Sequence, residues 1–337
     1  MTDATIVATC RAFTEDFPDQ ESHLVDALTR HGHDVDLHHR VDGHFPDGEL
    51  CVDVPAHPRG RPVLIVQSLT GPAQSPDAAI VSLLATARAY RDHGAGSICG
   101  FVPHLAYARH DRLVPGQRRP LFARLLADLA AAAGLNHLIA IASGAEDQLG
   151  ALFHRPGLSL VAAQPLHRHL LERLDTPPTC LVAPDTGGHP HVRRLGAALG
   201  LPTVGLVKRR LGPDEVRTVV PQVAAMPRTG HAVVVDDLVT SAGTLVAAVA
   251  ALRTYAPELR ISAVVTHLRP TGTGLRRLDH LHRSGGLAGL YVTDSAGHRA
   301  GVRGVTVVDA LPEVADEVAA VYGTESASWR RVHARSL

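Results

Sequence analysis

Two adjacent carboxylates, Asp236 and Asp237, follow the apolar run Val233-Val234-Val235. The segment Leu238-Val239-Thr240-Ser241-Ala242-Gly243-Thr244, rich in hydroxyls and containing glycine, comes directly after them. The apolar run reads as a buried strand and the residues past Gly243 as a helix. In an open α/β sheet, ligands bind at the carboxyl ends of the strands, the edge to which this strand delivers its acids. Backbone N–H groups at the helix N-terminus, with the Thr240, Ser241 and Thr244 hydroxyls, make a cradle for a phosphate monoester. Two neighbouring carboxylates suit the vicinal hydroxyls of a ribose, directly or through Mg2+. The plainer alternative is a capped helix after a strand with two solvated acids. Acids, hydroxyls and glycine falling in one register favour the phosphosugar site.

Other residues invite chemistry less directly. Lys208 is the single lysine, and every other member of the Lys+Arg total of 33 is arginine. A compact ammonium on a mobile stem differs chemically from a planar guanidinium fork. His31, His33, His38, His39 and His44 crowd one segment, but their spacing fits no standard zinc pattern and no cysteine joins them. In a chain with 22 histidines they read as a solvated His-rich stretch.

The elements that must position these groups are legible as short apolar runs alternating with helical patterns. Val63–Val66, Ile98–Val102, Leu138–Ala142, Cys180–Ala183, Thr203–Val207, Ala232–Val235 and Ile261–Val265 read as strands. Their near-continuous apolarity fits parallel strands covered on both faces. One helix starts with Ser75 as N-cap and Pro76 at its first position, and stops near Gly94. Another covers Leu121 to Ala133 and ends at Gly134; a third follows Gly243 and buries Leu245, Val249 and Leu252. Repetition of strand and helix predicts an α/β fold with right-handed crossovers.

Bulk properties bound the function. A chain of 337 residues suits two domains, and the stretch from His154 to Pro165 is the best boundary. Basic and acidic residues number 33 each, which argues against a sequence-independent grip on nucleic acid or anionic lipid. Aromatics at 4% leave few stacking platforms for single strands. No run approaches a membrane span, and Met1-Thr2-Asp3-Ala4 lacks the flank of a signal peptide. A soluble cytoplasmic protein is expected. Cys10, Cys51, Cys99 and Cys180 form no C-x-x-C pair, and Cys99 and Cys180 read as buried reduced thiols.

The stretch from Val233 to Thr244 resembles the phosphoribosyl-diphosphate-binding loop shared by type I phosphoribosyltransferases and ribose-phosphate diphosphokinases, the PRPP synthetases. Further segments favour the second family. Phe45-Pro46-Asp47-Gly48-Glu49 resembles its adenine-site loop, and Tyr107-Ala108-Arg109-His110-Asp111-Arg112 its Y-A-R-Q-D-R motif. Pro184-Asp185-Thr186-Gly187-Gly188 resembles its P-D-x-G-G ribose and metal turn. Lys208-Arg209-Arg210-Leu211 resembles the flexible loop that closes over the triphosphate, and Thr266-His267 the short motif after the last core strand. The similarity runs in order from about residue 45 to 320.

That resemblance implies two tandem type I phosphoribosyltransferase-like domains with parallel sheets flanked by helices. Residues 1–158 would carry the ATP-site loops, 159–325 the ribose 5-phosphate loop and the Lys/Arg loop, and 326–337 a tail. The implied reaction is Mg2+-dependent transfer of the diphosphoryl group of ATP to the 1-hydroxyl of ribose 5-phosphate or a related pentose phosphate, giving PRPP and AMP. Lys208 and Arg210 would be catalytic, while Phe45, Asp47, Glu49, Arg109 and His110 would bind ATP. Asp185, Asp236, Asp237, Thr240, Ser241, Ala242, Gly243 and Thr244 would bind the pentose phosphate, with Asp185 also at the metal. The family further implies a dimer-based homo-oligomer, of which a hexamer is one form, an active site between the domains, and a Phe45 loop that reaches a neighbouring subunit.

Three positions depart from the family pattern. His110 stands where Gln is usual and offers fewer hydrogen-bonding groups, which implies a changed base preference. Thr240 replaces an Asp and remains compatible with phosphate. In Ala142-Ser143-Gly144-Ala145-Glu146-Asp147-Gln148 the family's metal-holding His aligns with Ala145. That loss leaves open, beside the active enzyme, a catalytically weak or inactive regulatory homologue; the loop from Val233 to Thr244 taken alone also permits a phosphoribosyltransferase.

Overall fold

Strand residues in this chain alternate between two apolar faces, and both faces are covered. In the second half, Leu181, Ala183, Val233 and Val235 cluster with Leu170, Leu171, Val192 and Leu195. Their neighbours Cys180, Val182, Ala232 and Val234 cluster instead with Leu245, Val249, Leu252, Leu278 and Leu281. Burial on both sides is why the runs carry no polar alternation. The computed structural model describes residues 4–55, 57–113, 116, 118–142, 146–153, 157–210, 216–221, 226–297 and 303–333.

In chain order the first elements are β1 (Thr5–Thr9), α1 (Arg11–Asp16), α2 (Glu21–Arg30), β2 (Val35–His38), β3 (Asp42–His44), β4 (Leu50–Val52) and β5 (Pro62–Val66). Then come α3 (Pro76–Asp92), β6 (Ser97–Val102), α4 (Phe122–Ala133), β7 (His137–Ile141), α5 (Glu146–Leu152) and β8 (Gly157–Val161). The second half begins with α6 (Gln164–Glu172), β9 (Cys180–Ala183), α7 (His189–Leu199), β10 (Thr203–Gly205), β11 (Val207–Arg210) and β12 (Val216–Val219). It continues with β13 (His231–Val239), α8 (Gly243–Tyr255), β14 (Arg260–Leu268), α9 (Gly272–Arg283), β15 (Gly289–Thr293) and β16 (Val305–Val308), and the chain ends in α10 (Leu311–His333).

These elements build two six-stranded sheets, β2-β1-β5-β6-β7-β8 and β10-β9-β13-β14-β15-β16. All pairings inside both sheets are parallel. The two share one plan: the second strand lies outside the first, and the third to sixth continue on the other side. Each also inserts an antiparallel ribbon between its second and third strands, β3–β4 in one and β11–β12 in the other. The fold is thus two tandem α/β domains with parallel sheets.

The first compact unit comprises 1–162, 296–298 and 311–337, and the second 163–295 and 299–310. Assigning residues up to 325 to the second domain therefore needs correction. Helix α10 packs on α2, β6, β7 and β8 of the first unit, where Asp316 accepts from Arg30 at 2.9 Å and Glu317 from the Ala162 N–H at 2.9 Å. Residues 326–333 belong to that helix rather than to a tail. The stretch read as a boundary, His154 to Pro165, holds the edge strand β8 and the start of α6.

Local signals set the helix ends as expected at two places. The Ser75 hydroxyl accepts from the Ala78 N–H at 3.3 Å and caps α3, and Gly134 takes φ +108° to stop α4. Cys10, Cys99 and Cys180 are buried, and all four cysteines are free. Among the described residues no helix is long and apolar enough to cross a membrane.

Candidate functional site

In a doubly wound sheet the crevice opens where neighbouring strands send their chains to opposite sides. In the second unit that point lies between β9, whose chain leads to β10, and β13, whose chain leads to β14. The residues leaving β9 are the Asp185 turn. Asp185 Oδ1 accepts from the Gly187 and Gly188 N–H groups at 3.0 and 3.1 Å, which shapes the turn into α7.

Across the switch point, β13 runs further than its apolar core suggests. Asp236 pairs in register with Val265 and Leu238 with His267, so the acids sit within the strand rather than beyond it. Asp236 Oδ1 accepts from the Asp237 N–H at 3.0 Å. Burial pushes the Asp236 carboxyl well above the usual carboxylate range, and the charges of Asp237 and then Asp185 add to the rise. Three carboxylates thus share one edge at a mutual electrostatic cost. A partner that donates hydrogen bonds or carries positive charge would relieve it.

The candidate phosphate loop, residues 240–244, follows at once. Ala242 adopts φ +56°, a left-handed conformation that turns the strand sharply into α8. Thr240 and Gly243 are half-buried, and Ser241 and Thr244 are exposed at the mouth of the helix N-terminus. The loop is braced from behind by α9 and the segment before it. The Arg269 N–H reaches the Val239 carbonyl at 2.9 Å, and the Thr271 N–H reaches that of Thr240 at 3.1 Å. Arg277 Nη1 donates to the Ser241 carbonyl at 2.9 Å. At Gly274 the backbone of α9 comes so near that a Cβ would lie 2.0 Å from the Thr240 carbonyl oxygen. A braced loop at a helix N-terminus, where the first N–H groups have no intrahelical acceptor, is what an incoming phosphate needs.

The same place in the first unit is closed by the chain itself. Asp42 accepts from the Arg11 N–H and from the Ser82 hydroxyl. Asp16 accepts from the Ser68 hydroxyl at 2.5 Å and the Ala73 N–H at 2.9 Å. Both carboxylates are buried and matched by internal donors. The open acidic edge therefore belongs to the second unit.

The remaining expected residues lie on two ribbons and one loop. Phe45, Asp47 and Glu49 form the tip of the β3–β4 ribbon. There the Phe45 N–H donates to the Glu49 carbonyl at 2.8 Å and Gly48 takes φ +91°. The Phe45 ring is 52% exposed, unusual for an aromatic without a ligand or partner. Arg109 and His110 are exposed on the segment after β6. The His110 ring meets a stacked Tyr107–Phe122 pair edge-on, with centroids 5.7 and 5.6 Å away. Lys208 is exposed on β11, and Arg210 ends that strand; the Arg210 side chain lies outside the described residues. Ser143, Gly144 and Ala145 also lie outside them, as do the side chains of Glu146, Asp147 and Gln148. Thr266 and His267 sit inside β14 rather than after it, and His267 Nδ1 is 2.7 Å from the Ser295 hydroxyl.

Sequence reasoning overlooked His167 on α6. It is buried at 1% exposure beside the Asp236 carbonyl, and burial, aided by His191, pushes it down to about 3. Nothing in Gln164–Glu172 separates it from other helical histidines.

Comparison with known proteins places both halves of the chain in one family. Residues 19–134 match the N-terminal domain of ribose phosphate pyrophosphokinase, and residues 158–280 match the phosphoribosyl transferase domain. A ribose-phosphate pyrophosphokinase of Agrobacterium fabrum is 32% identical over 83% of this chain and 86% of its own length. One from Coxiella burnetii is 31% identical over 69% of this chain and 72% of its own. The crystal structure of phosphoribosylpyrophosphate synthetase from Mycobacterium smegmatis superposes with a TM-score of 0.74 at 23% identity, covering 95% of this chain and 99% of that one, and so shares the fold. With both halves matched and relatives of one description spanning most of its length, the chain belongs to the ribose-phosphate pyrophosphokinase (diphosphokinase) family.

Proposed function

We propose that this protein transfers the β,γ-diphosphoryl group of ATP to the 1-hydroxyl of ribose 5-phosphate or a related pentose phosphate, giving PRPP and AMP. The observation that carries the reading is the single edge shared by Asp185, Asp236, Asp237 and the braced loop 240–244. A pentose phosphate answers both halves of that edge. Its phosphate takes the N–H groups of α8, and its hydroxyls donate to the carboxylates.

In the reaction a bond forms between the sugar O1 and the β-phosphorus of ATP. The bridging bond from the β-phosphorus to the α-phosphate oxygen breaks, that oxygen departs on AMP, and the O1 proton is released. Such transfer needs alignment and charge compensation more than covalent help. Lys208 and Arg210 are proposed to meet the charge on the transferring group and on departing AMP. Phe45, Asp47, Glu49, Arg109 and His110 are proposed to hold ATP, with the exposed Phe45 ring stacking on the base.

Among the described residues no three His, Cys, Asp or Glu side chains close into a metal cage. Mg2+ keeps several waters and binds through one or two carboxylates plus substrate phosphates. Asp185, with Asp236 and Asp237 beside it, supplies hard oxygen donors of that kind. When bound, Mg2+ offsets phosphate charge and orients the triphosphate chain. A cytoplasmic homo-oligomer is the proposed working form.

The test is AMP release from ATP and Mg2+, followed by chromatography. AMP that appears only with ribose 5-phosphate supports the reading. ADP in its place, or consumption of added PRPP without ATP, overturns it. Ala145 in place of a metal-holding His supports a second reading, a regulatory homologue. Co-purification with an active diphosphokinase, and no turnover alone, would select it.

A further inference from the structure

His167 and His191 make a hydrogen-bonded chain that ends on the acidic pair. His167 Nδ1 lies 2.8 Å from His191 Nε2, with ring centroids 4.8 Å apart. On its other side His167 Nε2 is 3.2 Å from the Asp236 carbonyl oxygen and 3.0 Å from Thr266 Oγ1. A carbonyl oxygen only accepts, so the Asp236 contact is a hydrogen bond in the tautomer with hydrogen on His167 Nε2, and the Thr266 hydroxyl can share that hydrogen as a second acceptor. A neutral imidazole carries hydrogen on one nitrogen only, so with Nε2 as donor its Nδ1 is the acceptor. The hydrogen between the rings then belongs to His191 Nε2. The Asp236 carbonyl thus selects one tautomer for both rings.

The chain joins elements that carry different parts of the site. His191 lies in the first turn of α7, just past the turn built on Asp185. His167 comes from α6, Asp236 from β13 and Thr266 from β14. Through these contacts the helix that follows Asp185 is tied to the backbone of Asp236. A shift of the Asp185 turn away from the Asp236 backbone strains two part-buried hydrogen bonds, and an unmet polar group shielded from water is costly.

We propose that His191 and His167 form a positioning relay that holds the Asp185 turn and the Asp236–Asp237 pair at the spacing a pentose phosphate requires. The inference rests on the pentose-phosphate reading of this edge. Neither ring touches the reacting atoms, so both are positioning residues. Their loss should weaken pentose capture and leave transfer itself largely alone.

The test compares His167→Leu, which removes the contacts to His191, Asp236 and Thr266, with His167→Gln, whose amide offers both donor and acceptor. His191→Phe serves as a second probe on a half-exposed side chain. Loss of about one buried hydrogen bond predicts a KM for ribose 5-phosphate raised roughly tenfold in His167→Leu and His191→Phe, with kcat and the KM for ATP within about twofold. His167→Gln should recover most of the loss. Long-range 1H–15N NMR of the histidine-labelled wild type should show His167 with hydrogen on Nε2 only. Hydrogen on Nδ1 instead, equal losses in kcat and both KM values, or unchanged kinetics in His167→Leu would each overturn the relay. If calorimetry finds no ribose 5-phosphate binding by wild type, the pentose reading fails and the relay's role with it. The tautomer pattern then decides separately whether the hydrogen-bonded chain exists.

Discussion

Gly274→Ala adds one methyl group where α9 backs onto the phosphate loop. An ideal Cβ there would stand 2.0 Å from the Thr240 carbonyl oxygen, 3.1 Å from its carbon and 3.5 Å from the Ser241 carbonyl carbon. An ordinary C···O approach is about 3.3 Å, so backbone must retreat by ~1.3 Å. No flexible side-chain end absorbs the clash, because the three nearest atoms are backbone. The loop is also pinned by Thr271 and Arg277. Overpacking of this kind costs about 1–3 kcal/mol, and misplacing a binding group by about 1 Å costs on the order of 10²-fold. Thermal unfolding should fall by several degrees, and calorimetric affinity for ribose 5-phosphate by one to two orders of magnitude (about 10- to 100-fold). Gly272→Ala is the control, since its Cβ would meet only Arg276 Nη1 at 3.8 Å. Wild-type unfolding and affinity in Gly274→Ala would refute the idea that α9 sets the loop.

Three further outcomes are expected. Lys208→Ala should lower turnover by at least about 10²-fold while nucleotide affinity changes far less, in a steady-state and binding comparison. Asp236→Asn should weaken pentose phosphate binding at least about tenfold, yet stabilise the ligand-free protein by ~1 kcal/mol near pH 8 in denaturant titrations. The sign follows from Asp236 being raised in the fold: its stability contribution is lost as pH rises through that folded value, and asparagine removes the loss. His167 works in the opposite direction. Its folded value near 3 lies below an unfolded one of about 6.5, so its contribution is intact above 6.5 and is lost as pH falls toward 3. Wild type should lose up to about 1.4 kcal/mol per pH unit from this group in that window, and His167→Gln should show a flatter melting profile there.

Much of the fold was legible because burial on both faces writes continuous apolar runs. Val63–Val66, Ile98–Val102 and Cys180–Ala183 correspond to β5, β6 and β9 for that reason. The Thr203–Val207 run was misread as one strand: β10 ends at Gly205 and β11 starts a separate ribbon at Val207. β1 escaped notice although all five of its residues are buried, because threonines at both ends shorten its apolar stretch. β8 is an edge strand with mostly half-buried residues, so its pattern is weak. The return of α10 to the first unit has no local signature, since an amphipathic helix does not state which sheet it covers. At the site, Asp236, Asp237 and residues 240–244 were visible as chemistry in register. The bracing by Gly274 and Arg277, and the link from His167 to His191, come from distant segments that only the folded topology brings together.

Diphosphoryl transfer to a pentose phosphate can be followed by 31P NMR of the purified protein with Mg2+, ATP and ribose 5-phosphate. A growing sugar 1-diphosphate signal matched by AMP is expected. Intact ATP with ribose 5-phosphate and with other pentose phosphates, or release of ADP and free phosphate without a 1-diphosphate, would contradict it.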